Sequence, residues 1–252
     1  MSISLQDLHE TINRELSISA FQDYCPNGLQ VQGAPRVNKL VAGVSASQQL
    51  IDCAVAEGAD ALLVHHGFFW KGEDPCLVGV KYRRIAKLIE NGMSLLAYHL
   101  PLDAHAEWGN NAQLAKLLDF SIEGGLQDVE HPVGLVGRLP RPMKVAELSA
   151  LVAKKLAREP LVIADEEKML ETVAWCTGAA QSYIEQAAAK GVDVFISGEI
   201  SEPTVHLARE LGVAYLAAGH HATERYGVKA LGEAMAERFE LDFQFIDCDN
   251  PV

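Results

Sequence analysis

The chain has 252 residues, 49% hydrophobic, 22% charged and 7% aromatic, enough for a substantial core in one large or two modest domains and outside the disordered, collagen-like and coiled-coil ranges. Its 34 acidic against 21 basic side chains leave a formal charge of −13 with no basic run, which disfavours nucleic acid or anionic lipid as a partner. Five cysteines (Cys25, Cys53, Cys76, Cys176 and Cys248) are odd in number and form no C-x-x-C pair, so neither a disulfide framework nor a zinc ribbon is expected, and a reducing, cytoplasmic setting fits.

In chain order, Leu5, Leu8, Ile12 and Leu16 recur at helical spacing among Asp7, Glu10, Arg14 and Glu15, which predicts an amphipathic helix and not a signal peptide. No apolar run approaches the roughly 18 residues of a membrane span. Apolar, β-branched runs predict buried strands over 40–44 and 61–65, with a helix carrying Leu50, Ile51, Ala54 and Val55 between them. Further strands are predicted over 94–99 and 133–139, then a helix with Val145, Leu148, Leu151, Val152 and Leu156. Strands over 173–177, 194–197 and 213–217 follow, then a helix with Val228, Leu231 and Met235. The alternation in 242–247 has period two and predicts a half-exposed strand. Strands alternating with helices specify an α/β protein with largely parallel sheets. Gly124, Gly125, Pro132, Gly134, Gly137, Pro140 and Pro142 cluster around one strand signal, so the expected domains are residues 1–124 and 125–252.

The two halves resemble each other. Gly58-Ala-Asp-Ala-Leu-Leu-Val-His-His66 aligns with Gly191-Val-Asp-Val-Phe-Ile-Ser-Gly-Glu199, and Leu95–Asp103 aligns with Leu216–Glu224, setting His99-x3-Asp103 over His220-x3-Glu224. Two related α/β units are expected.

Of nine histidines, His9, His131 and His206 stand alone and read as surface or packing residues. The others fall in His65-His66-Gly67, His99-Leu-Pro-Leu-Asp103-Ala-His105 and Gly219-His220-His221-Ala-Thr-Glu224, each ending an apolar strand signal. Ligand sites of open α/β sheets lie beyond the carboxyl ends of the strands, so three such loops can supply one site. Neutral imidazole with ionised carboxylate and no nearby thiolate is a hard-to-borderline donor set for metal ions. Neighbouring residues of a strand point to opposite faces, so His65 and His66 are expected to serve one ion each. His220 and Glu224 share a helix face if the turn after Gly219 is helical, a carboxylate can bridge two ions, and Asp103 supplies a further ligand. A two-metal site follows, and zinc, manganese, iron, cobalt and nickel all suit it.

Other motifs are weaker. Gly43-Val-Ser-Ala-Ser47 resembles half of a nucleophile elbow, but Ser47 replaces its last glycine and reads as a helix N-cap. No phosphate-cradling glycine loop of the ATPase or dinucleotide type is present. Phe68-Phe69-Trp70-Lys71 offers either a stacking platform for a purine or ordinary core packing.

Pro26-Asn-Gly-Leu-Gln30, Gly43–Ser47, Val64-His-His-Gly67, His99–His105, Ser197-Gly-Glu199 and Gly219–Glu224 together resemble the Nif-three-like family, whose bacterial members are described as GTP cyclohydrolase I type 2 homologs. The resemblance covers nearly the whole chain, in the short form without an inserted domain. It implies two α/β domains, a dinuclear metal centre between them and a homohexamer. It also implies His65, His66, Asp103, His220 and a bridging Glu224 as ligands, holding two divalent ions per subunit. His99, His221 and Glu199 match the family's motifs as proton-transfer groups or supports for the ligands. The implied function is metal-dependent hydrolysis of a small molecule such as a purine nucleotide, and the alternative is a non-enzymatic metal-binding or scaffold protein.

Overall fold

The computed structural model describes residues 2–252. The chain forms two compact units, one running to Leu102 and resumed over Gly227–Asp249, the other made of Asp103–Tyr226 and Asn250–Val252.

The first unit opens with β1 (Ile3–Ser4) and α1 (Leu5–Glu15). The Ser4 hydroxyl accepts the Asp7 N–H at 3.0 Å and caps α1, which buries Leu5, Leu8 and Ile12 as its spacing requires. Then come β2 (Gly28–Val31), β3 (Arg36–Val37), β4 (Lys39–Ser45), α2 (Gln48–Ala56), β5 (Ala61–His66), α3 (Gly79–Glu90), β6 (Ser94–Ala97) and the short α4 (Leu100–Ala104). β4, β5 and β6 pair in parallel, β2 lies antiparallel on β6, and β1 pairs with β3. One face of this sheet buries Val41, Leu62, Val64 and Leu95 against Leu50, Ile51 and Ala54 of α2 and Ile85 and Leu88 of α3. Ser47 accepts the Leu50 N–H at 3.2 Å, so it is the N-cap of α2 that its sequence context predicts.

The second unit contains α5 (Asn110–Leu118), β7 (Ser121–Gly125), β8 (Leu135–Lys144), α6 (Val145–Leu156), β9 (Leu161–Ile163), β10 (Met169–Cys176), α7 (Ile184–Ala189), β11 (Val194–Ser197), α8 (Glu202–Leu211) and β12 (Ala214–Ala217). Its sheet runs β7-β8-β10-β11-β12-β9, parallel across β10, β11 and β12 and antiparallel elsewhere. Period-two alternation divides the strand residues between two cores. Val173, Trp175, Val194, Ile196 and Leu216 face α5 and α6, whereas Ala174, Cys176, Phe195 and Tyr215 face α7 and α8.

α9 (His220–Phe239) begins in the second unit and continues in the first, and β13 (Asp242–Phe245) then pairs in parallel with β4. Gly232 permits this return, because a Cβ there would come within 2.3 Å of the Phe243 ring. β13 has the half-exposed pattern expected for it. The boundary therefore differs from the expected 1–124 and 125–252. The glycine- and proline-rich stretch forms the β7–β8 hairpin inside the second sheet, α5 buries Leu114 and Leu118 in the core of the second unit, and Gly227–Asp249 returns to the first unit.

The duplication is visible in strand pairing. β4, β5, β6 and antiparallel β2 have the same order and directions as β10, β11, β12 and antiparallel β9. Asp60 accepts the Asn38 and Lys39 N–H groups at 2.8 and 2.9 Å, and Asp193 accepts those of Glu171 and Thr172, both at 2.9 Å. Register also corrects the alignment by one residue: Ala61 pairs with Ser94 and its counterpart Val194 with Ala214, which sets His99 over Gly219 and Asp103 over Thr223. His220 and Glu224 are therefore not the structural counterparts of His99 and Asp103.

Partial burial opposes the Asp193 charge, but hydrogen bonds from Thr172 and Glu171, with Lys168 nearby, outweigh it and hold this carboxyl below the ordinary carboxylate value. Its contribution to stability is complete above the unfolded pKa of about 4 and is lost as pH falls through the lowered folded value. Asp193→Ala is expected to cost about 1–3 kcal/mol in urea unfolding at pH 7. Asp193→Asn should flatten the acid limb of the stability profile, and an unchanged limb would contradict this.

Among the described residues, no helix is long and apolar enough to cross a membrane.

Candidate metal centre

In the first unit, the histidines lie where the parallel strands end. β5 continues through His66, yet strand alternation does not separate the two rings as expected: the centroids of His65 and His66 are 4.6 Å apart. His65 Nδ1 donates to the Tyr98 carbonyl just beyond β6 at 2.8 Å, and His66 Nδ1 bonds the hydroxyl of Ser45, the last residue of β4, at 2.9 Å. The two rings are thus anchored to opposite neighbours, His65 just beyond β6 and His66 on β4. His99 joins them, its ring 5.1 Å from that of His65 and 5.8 Å from that of His66, and one ring nitrogen of each of the three lies within 4.8 Å of the others.

His99 is held by Asp23, a residue that sequence reading did not single out. Asp23 Oδ1 accepts from His99 Nδ1 at 2.7 Å and from the Tyr24 N–H at 2.6 Å, while Oδ2 accepts from Asn27 Nδ2 at 2.8 Å and from the Leu100 N–H at 2.9 Å. Burial opposes the charge of Asp23, and this set of donors, His99 foremost, still holds its pKa below the ordinary value. Asn27 Oδ1 accepts the His99 N–H at 2.7 Å and fixes the backbone too. Cys25 lies beside Asp23, where burial and the neighbouring carboxylate push its thiol up to about 12, so it remains protonated in the metal-free chain.

The second unit has buried carboxylates of its own. Asp103, buried in α4, accepts from Asn110 Nδ2 at 2.8 Å and from Thr177 Oγ1 at 3.4 Å, both on Oδ1. Asn111 braces the same loop by donating to Val133 O at 2.5 Å and accepting the Thr177 N–H at 3.0 Å. In the first turn of α9, His220 Nδ1 meets Glu199 Oε1 at 2.7 Å, and His220 Nε2 lies 3.1 Å from Glu224 Oε2. The turn after Gly219 is helical, so His220 and Glu224 share a face as expected. Gly178 makes room for Glu224, since a Cβ there would come within 2.1 Å of Glu224 Oε1. Burial disfavours the charged His220 ring, but Glu224 and then Glu199 prevail and raise its pKa to about 9. The Cys176 thiol is pushed well up by burial and by the charges of Asp103 and Glu224, so it is a neutral neighbour of the two carboxylates.

The other two histidines of these motifs, His221 and His105, have different surroundings. His221 is buried and its backbone N–H donates to Val252 O at 2.9 Å, but among the described residues it belongs to none of the clusters able to hold a metal. His105 turns to its own loop, where Nδ1 accepts the Trp108 N–H at 3.0 Å and the ring stacks on Trp108.

The remaining donors fit divalent ions. A carbonyl can only accept, so His65 carries its proton on Nδ1 and its lone pair on Nε2; Asp23 and Glu199 impose Nδ1–H on His99 and His220. Carbonyl or carboxylate on the far nitrogen is how metal-ligating histidines are oriented. These buried His, Asp and Glu groups can hold metal ions.

A family model for Duf34/NIF3 (NGG1p interacting factor 3) matches residues 3–251. The chain belongs to the Duf34/NIF3 family. It is similar to a Pseudomonas aeruginosa protein named GTP cyclohydrolase 1 type 2 homolog, with 54% identity over the whole of both chains. A solved structure described as protein ybgI, unknown function, shares 48% identity with a TM-score of 0.95, over 99% of this chain and 100% of that one. A Thermus thermophilus protein of known structure shares 34% identity with a TM-score of 0.88, over 99% and 100%. In this NIF3-family chain, the residues that sequence reading missed are Asp23, Asn27, Asn110, Asn111 and Thr177. Asn27 stands within the Pro26–Gln30 motif, the one signal on which that segment could have been drawn into the site.

Proposed function

We propose that this chain is a dinuclear metal-dependent hydrolase of the cytoplasm, acting on a small molecule such as a purine nucleotide. His65, His66, Asp103, His220 and Glu224 would hold two divalent ions, with Glu224 serving both. When bound, such a pair supplies Lewis acidity, lowering the pKa of water toward ~7 and polarising an electrophilic carbon or phosphorus. The chain's own residues do the rest. Asp23 fixes the Nδ1–H tautomer of His99, so His99 accepts and returns a proton at Nε2. Glu199 orients His220 in the same way, and Asn110 and Thr177 engage Oδ1 of Asp103.

The observation that carries this reading is the gathering of His, Asp and Glu side chains whose ligand atoms lie in groups within 4.8 Å, His65 and His66 at the carboxyl end of β5 and the buried Asp103 and Glu224 among them. The name of the Pseudomonas aeruginosa relative supports the reaction class. Its test is an untargeted metabolite screen with protein loaded in turn with zinc, manganese, iron, cobalt and nickel. Consumption of a metabolite that depends on the metal is expected, whereas full metal occupancy without turnover under any ion would favour a metal-binding scaffold.

We also propose a homohexamer, on the family resemblance. Leu77, Val78, Val80, Tyr82 and Ile89 are exposed on and just before α3, and apolar contacts of this kind would have to overcome repulsion between copies each carrying −13. Light scattering should give six times 27.4 kDa, and a monomer at micromolar concentration would refute it.

A further inference from the structure

The chain has three tryptophans, and two have structural employment. Trp175 is fully buried and donates to Asn111 O at 2.9 Å, and Trp108 stacks on His105 at 4.6 Å and 9°. Trp70 belongs to none of the buried core clusters among the described residues, yet it is only half-exposed, because its indole stands against the histidines. It meets His99 edge-to-face at 5.1 Å and 85°, and His66 at 6.0 Å and 51°. On another side of His99 is Tyr24, 6.5 Å away and 62% exposed.

The loop that carries Trp70 is tightly held. Gln30 grips Phe68 at both backbone groups, accepting its N–H at 2.7 Å and donating to its carbonyl at 3.2 Å, while the Phe68 ring is buried in the core. Phe69 then adopts φ of 66°, a left-handed conformation unusual for a bulky side chain, and the Lys71 N–H donates to Tyr24 O at 2.6 Å. Phe68 thus turns into the core and Trp70 toward His66 and His99. Strained conformations persist where the surroundings over-determine them, and here the result is a half-exposed indole preset next to the candidate proton-transfer group.

We propose that Trp70 is the platform on which the flat heteroaromatic ring of the substrate stacks beside His99. The inference rests on the proposed function and deepens it by naming the group recognised. An indole face attracts either cations or other π-systems. Two divalent ions held by the neighbouring histidines would repel an organic cation, which leaves a neutral planar heterocycle. Recognition by stacking tolerates different rings, because every nucleobase has a π-face.

The test uses metal-loaded protein with guanosine 5′-monophosphate and ribose 5-phosphate as probes, followed by tryptophan fluorescence and calorimetry. Stacking on an aromatic side chain is worth roughly 5- to 150-fold in affinity per base. The nucleotide should quench fluorescence, Trp70→Leu should raise its Kd by about tenfold or more, and Trp70→Phe should restore part of the loss. Ribose 5-phosphate should bind weakly and equally to all three proteins. Metal content, measured in parallel, separates the two ideas. Nucleotide that binds through Trp70 in protein lacking stoichiometric metal would leave the platform standing and remove the metal reading. Metal-loaded protein that ignores the nucleotide, binds ribose 5-phosphate as tightly, or shows the same Kd in both variants would overturn the platform alone. Should Trp70→Leu fail to fold, Trp70→Gln replaces it, a wild-type Kd in that variant counting against stacking.

Discussion

On the proposed two-ion reading, replacing Glu224 by alanine is expected to empty both positions at once, the largest effect on metal content of any single substitution. The side chain is 3% exposed, with Oε1 against Gly178 and Oε2 at 3.1 Å from His220 Nε2, so its two oxygens face different neighbours. Loss of a hydrogen-bonding partner behind a ligand typically costs ~10–100-fold in metal affinity, and loss of a shared ligand should exceed that at both positions. Elemental analysis should find about two first-row transition ions per wild-type chain. Asp103→Ala should retain about one. Equal losses from the two variants would contradict a bridging Glu224. A proton readout accompanies this. His220 is raised to about 9, so at pH 7 the metal-free ring is charged, and an ion must displace its proton to bind. Metal uptake should release protons, and affinity should weaken progressively as pH falls below about 9. Calorimetry in buffers of different ionisation enthalpy measures the release.

His99→Ala is expected to lower turnover of any substrate found by ~10²- to 10⁴-fold at unchanged metal content. The reason is the carboxylate behind the ring: an imidazole whose Nδ1–H is committed to Asp23 presents Nε2 in a fixed direction, 2.7 Å of hydrogen bond away from a buried charge. Asp23→Asn should lower turnover while leaving substrate KM near wild type, because it removes the tautomer control and not the ring. Metal lost from His99→Ala in proportion to turnover would instead make His99 a ligand, and the proton-transfer role would fall.

Much of this molecule is legible in its sequence because its central strands are buried on both faces and so appear as continuous apolar runs. β5, β11 and β12 fall where 61–65, 194–197 and 213–217 predict them. The edges are not legible in the same way. β2 and β9 are short, half-buried and set by pairing with β6 and β12, so nothing local marks them. The histidine and carboxylate donors could be chosen because metal chemistry restricts residue types. Their supports could not, since Asp23 meets His99 across 76 positions and Thr177 meets Asp103 across 74, and asparagine, threonine and aspartate are common in any loop. Alternation did not foresee how close the two rings come: the centroids of His65 and His66 lie 4.6 Å apart, while each ring is held by a different flanking segment.

The pairing of β13 with β4 has a consequence for the nascent chain. β4 is buried along Leu40–Val44, yet the strand that covers its outer edge is translated roughly 200 residues later, about 10–40 s at ordinary rates of synthesis. Throughout that interval the ribosome holds a first sheet with an apolar edge and unpaired backbone groups, the kind of surface to which another unfinished copy can add. Premature termination before Asp242 would release that edge permanently, so truncated products should be aggregation-prone even though every residue of the first histidine cluster is already present in them.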